Sequence, residues 1–226
     1  GIACLRAFFG IVYAGGFYVL LNPELPPARL RQIQAILPAP YILTDEEHRA
    51  AAQEIFPSAA VLLAEELGEG PIREDALAGV RSRMVDTDPL YGMFTSGSTG
   101  VPKGVVVSHG SVIDFINTFT ELFQIREDDV IGNQAPFDFD VSVKDIYSAL
   151  KTGATLSIIP KPLFSRPKDL LDWLCDREIT TMIWAVSALC LISTFHGLDY
   201  RRPQAVRKIL FSGEVMPIRH LQIWME

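Results

Sequence analysis

From Asp129 onward, short apolar runs alternate with longer stretches of helical periodicity, and no other feature limits the fold as much. Strands are expected near Val130–Gln134, Thr155–Ile159, Thr181–Ala185 and Lys208–Phe211. Helices are expected near Val141–Leu150, Pro167–Cys175 and Ser187–Phe195, with another beginning after Pro217. Strands apolar along their whole length are buried on both faces, and a helix between two of them returns the chain to a parallel neighbour. The expected fold class is therefore α/β, with parallel sheets flanked by helices.

The first part of the chain reads less regularly. The most apolar stretch, IACLRAFFGIVYAGGFYVLL (Ile2 to Leu21), has the composition of a membrane span or leader, but Arg6 sits inside it and Gly15-Gly16 breaks it. It is expected to be a buried helix followed by a buried strand rather than either of those. A helix over Ala28–Leu37 presents Leu30, Ile33 and Leu37 on one face, YILTD is a short strand, and Asp45 can cap the helix after it. Ala59–Leu63 reads as another strand. Residues 65–89 carry glycines, prolines and many charges, so an irregular connection with one short helix is expected. Two parts follow: a first α/β part over residues 1–89 and a second over residues 90–226.

Charge and cysteine content narrow the function classes. The formal charge is −7 and the basic residues are dispersed, so no basic face for nucleic acid is expected. Cys4, Cys175 and Cys190 lie far apart, as do the four histidines, and no metal-ligand spacing occurs. A reducing, cytoplasmic setting is the expectation, with no membrane and no metal site built from these residues.

The chemistry concentrates in YGMFTSGSTGVPKGVVVSHG, Tyr91 to Gly110. Two apolar strands flank a turn holding Thr95, Ser96, Gly97, Ser98, Thr99, Gly100 and Lys103. Glycines at 97, 100 and 104 allow positive φ and close approach to a ligand, and successive amides in such a turn make a concave anion site. The hydroxyls add donors and Lys103 a mobile positive charge, which together describe a polyphosphate cradle. A plain hydrophilic hairpin would account for two glycines but not for four hydroxyls and a lysine. The pattern is not GxxxxGK[ST], because Pro102 precedes Lys103 and Gly104 follows it.

TSGSTGVPKGV, Thr95 to Val105, resembles the phosphate-binding signature of the adenylate-forming enzymes: acyl-CoA synthetases, luciferases, and the adenylation domains of nonribosomal peptide synthetases and D-alanine–carrier protein ligases. The resemblance implies that Thr95, Ser96, Gly97, Ser98, Thr99, Gly100 and Lys103 hold the phosphates of ATP, with Lys103 and Thr99 acting on the departing pyrophosphate. VYAGGFYVLLNPELPPARL, Val12 to Leu30, is similar to an upstream element of that family and is read as packing. APFDFDVSVKDIY, Ala135 to Tyr147, resembles the segment in which amino-acid-activating members place an aspartate after an aromatic residue. Asp140 falls on that aspartate and Phe139 on the aromatic; Asp138, two positions earlier, competes for the same role but is less favoured by the motif register. A buried ammonium needs a counter-charge, which a carboxylate at the pocket rim supplies. Asp140 as the cap of the following helix fits its position equally well.

On the same register the side-chain pocket is lined by Val141, Lys144, Ala185, Leu210 and Ser212, and Gly213 and Glu214 lie beside the adenine. Lys144 is open to two readings, a partner for an acidic substrate or a stem that snorkels to solvent. Trp184 and Trp173 are read as core. The resemblance further implies ATP and magnesium, with the magnesium ligand outside this chain, an amino acid substrate, and a carrier protein's phosphopantetheine arm. The family's later motifs and C-terminal lid do not occur before Glu226. The expectation is an incomplete N-terminal part of an adenylation domain, inactive by itself, with the missing lid as its partner. The rival readings are an acyl- or aryl-CoA synthetase and a nucleotide-binding module without turnover.

Overall fold

The computed structural model describes residues 1–68, 70–96 and 101–225, except for the side chain of Ser96. It divides into two compact units, residues 1–113 and 114–226.

The first unit contains α1 (Ile2–Tyr13), β1 (Tyr18–Val19), α2 (Pro27–Ile36), β2 (Tyr41–Thr44), α3 (Arg49–Ile55), β3 (Ala60–Leu63), α4 (Glu74–Arg81), β4 (Pro89–Ser96) and β5 (Pro102–Ser108). The chain then enters α5 (His109–Leu122), which crosses the division between units. Strands β2 and β3 pair in parallel, and a separate sheet runs in the order β1-β4-β5. In that sheet β1 and β4 are parallel but β4 and β5 are antiparallel, because the turn between them is too short for a crossover. Pro27 opens α2 with φ already set for a helix. Leu30, Ala52 and Phe56 form the apolar centre beneath α2 and α3.

Two features differ from expectation. Only Phe8 of α1 is buried, stacked on Tyr18 with ring centroids 4.0 Å apart, and Ile2 is 71% exposed. The apolar face of α1 instead lines a cavity of about 950 Å³, together with Leu43 and Leu62 of β2 and β3. The units also part later than residue 89. The β4–β5 hairpin belongs with β1 in the first unit, because Tyr18 and Val19 pair with Tyr91 and Gly92.

The second unit holds β6 (Val130–Asn133), α6 (Ser142–Thr152), β7 (Thr155–Ile158), α7 (Pro167–Asp176), β8 (Thr181–Ala185), α8 (Val186–Thr194), α9 (Gly197–Tyr200), β9 (Lys208–Ser212) and α10 (Ile218–Met225). The four strands are all parallel, in the order β7-β6-β8-β9. Side chains alternate across the sheet as the two-residue period requires. Met182 and Trp184 pack with Leu170, Leu171 and Leu174 of α7 and Leu189 and Ile192 of α8. Ile131 and Ile183 pack on the other face with Ala149 of α6 and Phe119 and Phe123. Trp184 is core as expected, its indole N–H donating to the Gly132 carbonyl at 2.7 Å and its ring edge-on to Phe164.

One buried carboxylate ties the N-terminal ends of three of these strands. Asp129, just before β6, accepts from Thr180 and Thr181 Oγ1 at 2.9 Å, from Lys208 Nζ at 2.6 Å, from Arg207 Nη2 at 3.0 Å and from the Arg126 amide at 2.9 Å. Its side chain is fully buried, which by itself would raise the pKa. The Lys208 ammonium and the other donors outweigh that and hold the carboxyl well below the usual carboxylate range.

Candidate active site

The expected phosphate cradle begins where β4 and β5 diverge. Gly97, Ser98, Thr99 and Gly100 lie outside the described residues, as does the side chain of Ser96. The stem of the turn is described. Thr95 pairs across the hairpin with Lys103 and Ser96 with Pro102. Thr95 Oγ1 donates to the Lys103 carbonyl at 3.4 Å, and Arg29 Nη2 of α2 donates to the Thr95 carbonyl at 3.0 Å. Both Thr95 and Lys103 are exposed, and the Lys103 ammonium has no ion pair among the described residues. Arg29 was placed by sequence in a packing motif; the structure also sets it as a cation at the mouth of the turn.

Gly104 has a different cause from the one expected. Its φ is not positive, and it stands opposite Phe94 in the hairpin. A Cβ there would come within 3.2 Å of the Phe94 ring, so the glycine leaves room for an aromatic side chain rather than for a ligand.

The second group of expected site residues gathers at the C-terminal edge of the parallel sheet. Strand order reverses at β6: the chain goes from β6 to β7 on one side and returns to β8 on the other. The connections leaving β6 and β8 lead to α6 and α8, which cover opposite faces, and a crevice opens between such connections. Residues 134–141 leave β6 at that crevice. Phe139 is 58% exposed there, and Asp140 beside it is exposed.

Asp140 is not the helix cap. α6 begins at Ser142, and no side chain caps it. The Asp140 carbonyl accepts from the Val143 amide at 3.1 Å, so its backbone serves the first turn while its carboxylate has no partner among the described residues. Val141 is partly exposed and Lys144 half-buried, without an ion pair among the described residues.

Ala185 ends β8 and pairs in register with Ser212, which ends β9, so these two sit side by side on the same edge. Leu210 is two pairs further in, opposite Ile183, and packs partly into the core on the α6 side. Gly213 has φ +94°, a conformation side chains other than glycine rarely adopt, and turns the chain sharply after β9. Glu214 follows it, exposed.

Three residues that sequence reasoning passed over lie just behind this edge. Asn133, the last residue of β6 and 4% exposed, donates its side-chain amide to the Ala135 carbonyl at 3.1 Å and to Asp145 Oδ2 at 2.7 Å. Gln134 Oε1 accepts from the Ala185 amide at 3.1 Å. Asp145 lies wholly buried on α6, with Oδ1 unpartnered among the described residues. Burial pushes its carboxyl up to about 7, against the pull of the Asn133 amide and the Lys144 charge. The available signal was two adjacent amide side chains ending an apolar strand, and an acid on the helix face shared by Val143, Ile146 and Ala149.

The cavity beside α1 contains none of the expected site residues. No group of three His, Cys, Asp or Glu side chains among the described residues could hold a metal ion, and no helix among them is long and apolar enough to cross a membrane.

Comparison with known proteins gives the family and the fold. The family model for AMP-binding enzymes matches residues 1–226. An L-proline–[L-prolyl-carrier protein] ligase of Pseudomonas fluorescens is 32% identical over 216 residues, covering 92% of this chain and 43% of that protein. A D-alanine–D-alanyl carrier protein ligase of Staphylococcus aureus is 30% identical over 212 residues, covering 93% of this chain and 42% of that protein. The chain thus spans about two fifths of the length of these relatives. The structure of ATP-bound MatB from Rhodopseudomonas palustris superposes with a TM-score of 0.79 at 18% identity, covering 99% of this chain and 45% of that one, a likeness of fold.

Proposed function

The chain belongs to the AMP-binding enzyme family, and on that premise we propose that it is part of an amino-acid-activating ligase. In this reading a carboxylate oxygen of the amino acid attacks the α-phosphorus of ATP, the bond to the β-phosphate oxygen breaks, and pyrophosphate leaves. The aminoacyl-adenylate then passes its acyl group to the thiol of a carrier protein's phosphopantetheine arm, with release of AMP. The relatives named for loading proline or D-alanine on carrier proteins support that second step.

Lys103, Thr95, Ser96, Ser98 and Thr99, with the amides of Gly97 and Gly100, would hold the departing phosphates. They act by preorganised electrostatics and form no covalent bond. Asp140 would take the substrate ammonium; Phe139, Val141, Lys144, Ala185, Leu210 and Ser212 would border its side chain, and Gly213 and Glu214 the adenine. Magnesium would be held by the ATP phosphates together with a carboxylate outside this chain, where it would offset phosphate charge.

The observation that carries the reading is the state of Asp140: an exposed carboxylate at the strand-order reversal, not engaged as a cap and without a partner among the described residues. The test is ATP–pyrophosphate exchange in a protein carrying this chain at the full length of its relatives, with amino acids beside their des-amino counterparts. A charge-assisted hydrogen bond of about 1.5–3 kcal/mol predicts that Asp140→Ala raises the amino acid KM roughly 10- to 150-fold. Exchange supported equally by des-amino acids would move the protein to the acyl- or aryl-CoA synthetases.

A further inference from the structure

We infer that Asn133, Gln134 and Asp145 are positioning residues, a three-point clasp that fixes the segment bearing Phe139 and Asp140. The inference rests on the amino-acid reading above for what the segment binds, and on geometry alone for how it is held.

Asp140 stands midway between Ala135 and Asp145, and one side chain joins those two points. The Asn133 amide nitrogen has two hydrogens. One goes to the Ala135 carbonyl and the other to Asp145 Oδ2, so both are used and both partners are acceptors. The amide therefore has one orientation, and it links the start of the segment to the first turn of α6. Gln134 points the other way and accepts the Ala185 amide, attaching the same start to the end of β8. Inside the segment, short-range turns add to this hold: the Phe139 amide donates to the Pro136 carbonyl at 3.1 Å, and Ser142 Oγ to the Phe139 carbonyl at 2.7 Å.

The composition of the clasp fits positioning better than stability. Asn133 is 4% exposed and Asp145 not at all. A buried polar pair gains little over well-packed apolar side chains of similar size, whereas removing one partner strands the other. What the pair supplies that a leucine pair could not is a fixed direction for the chain leaving β6.

Two measurements test this. The first is amide hydrogen exchange on the 226-residue chain itself. Asp145→Ala and Asn133→Leu are expected to speed exchange across residues 135–141 at least tenfold while residues 155–158 stay protected. Asp145→Asn keeps an oxygen facing Asn133 and should hold wild-type protection. Gln134→Met and Gln134→Glu form a milder pair at a half-buried position: the first should free the Ala185 amide, and the second should not. Unchanged protection in Gln134→Met and Asp145→Ala, or loss spread evenly through residues 114–225, overturns the clasp.

The second measurement is exchange kinetics in the longer protein. Asp145→Ala should raise the amino acid KM about tenfold with the ATP KM and kcat within twofold, and Asp145→Asn should recover it. Ser148→Ala is the control: its hydroxyl, on the same helix, is buried and has no hydrogen-bond partner among the described residues. ATP and amino acid KM rising together, or no recovery with asparagine, overturns the positioning role. If the wild-type protein shows no amine-dependent exchange, the functional reading falls by itself, and hydrogen exchange still decides the clasp.

Discussion

Replacing Asp145 with asparagine should flatten the pH dependence of the second unit's stability, by an amount that follows from one carboxyl. Its ordinary pKa of 3.8 is raised to about 7, chiefly because burial disfavours the charged form, with the Asn133 amide and the Lys144 charge opposing. A group that binds its proton more tightly when folded stabilises the protein fully below its unfolded pKa, and that stabilisation is lost as pH climbs through the folded value. Each pKa unit corresponds to about 1.4 kcal/mol. Two units remain to be lost between pH 5 and pH 8, so wild type should be less stable at pH 8 by about 3 kcal/mol from this residue alone. Asparagine has no proton to lose and still accepts from Asn133. All other titrating groups are common to both proteins and cancel in the comparison. Urea unfolding followed by tryptophan fluorescence reads the right unit, because Trp173, Trp184 and Trp224 all lie in it. Parallel pH profiles for wild type and Asp145→Asn would refute the reasoning, for they would mean that the carboxyl keeps its charge in the folded state.

At the opposite edge of the sheet, Asp129→Ala should destabilise the unit by about 3–5 kcal/mol, because it leaves the largely buried Lys208 ammonium without its carboxylate, while Arg207 keeps Asp128. The same urea experiment at pH 7 checks it. The sign of the pH effect is reversed here: the carboxyl is held low, so its stabilisation is present above the ordinary value near 3.8 and is lost as pH falls below it. In the first unit, Arg29→Met removes the donor to the Thr95 carbonyl and a cation at the turn. Pyrophosphate exchange in the longer protein should then show an ATP KM raised about tenfold, from roughly 1.4 kcal/mol, with the amino acid KM unchanged.

Much of this molecule was legible in one dimension. The strands of the second unit, their parallel pairing and the burial of Trp184 follow from short apolar runs set between helical stretches, because burial on both faces leaves no polar period. The turn between β4 and β5 stood out as a candidate phosphate site because glycines, hydroxyls and a lysine crowd a span that a hairpin alone does not need. Other features depended on partners distant in sequence. Gly104 reads like a ligand-approach glycine until Phe94 is found across the hairpin. An apolar α1 reads as core until its face is seen to line a cavity. Asp140 reads equally as a cap until α6 starts without one. Asn133, Gln134 and Asp145 looked like ordinary polar residues, yet the structure joins them across 12 and 51 positions. Periodicity is a property of neighbours along the chain and determines which elements form. The worth of a buried polar group is set by what faces it, and only the folded chain decides that.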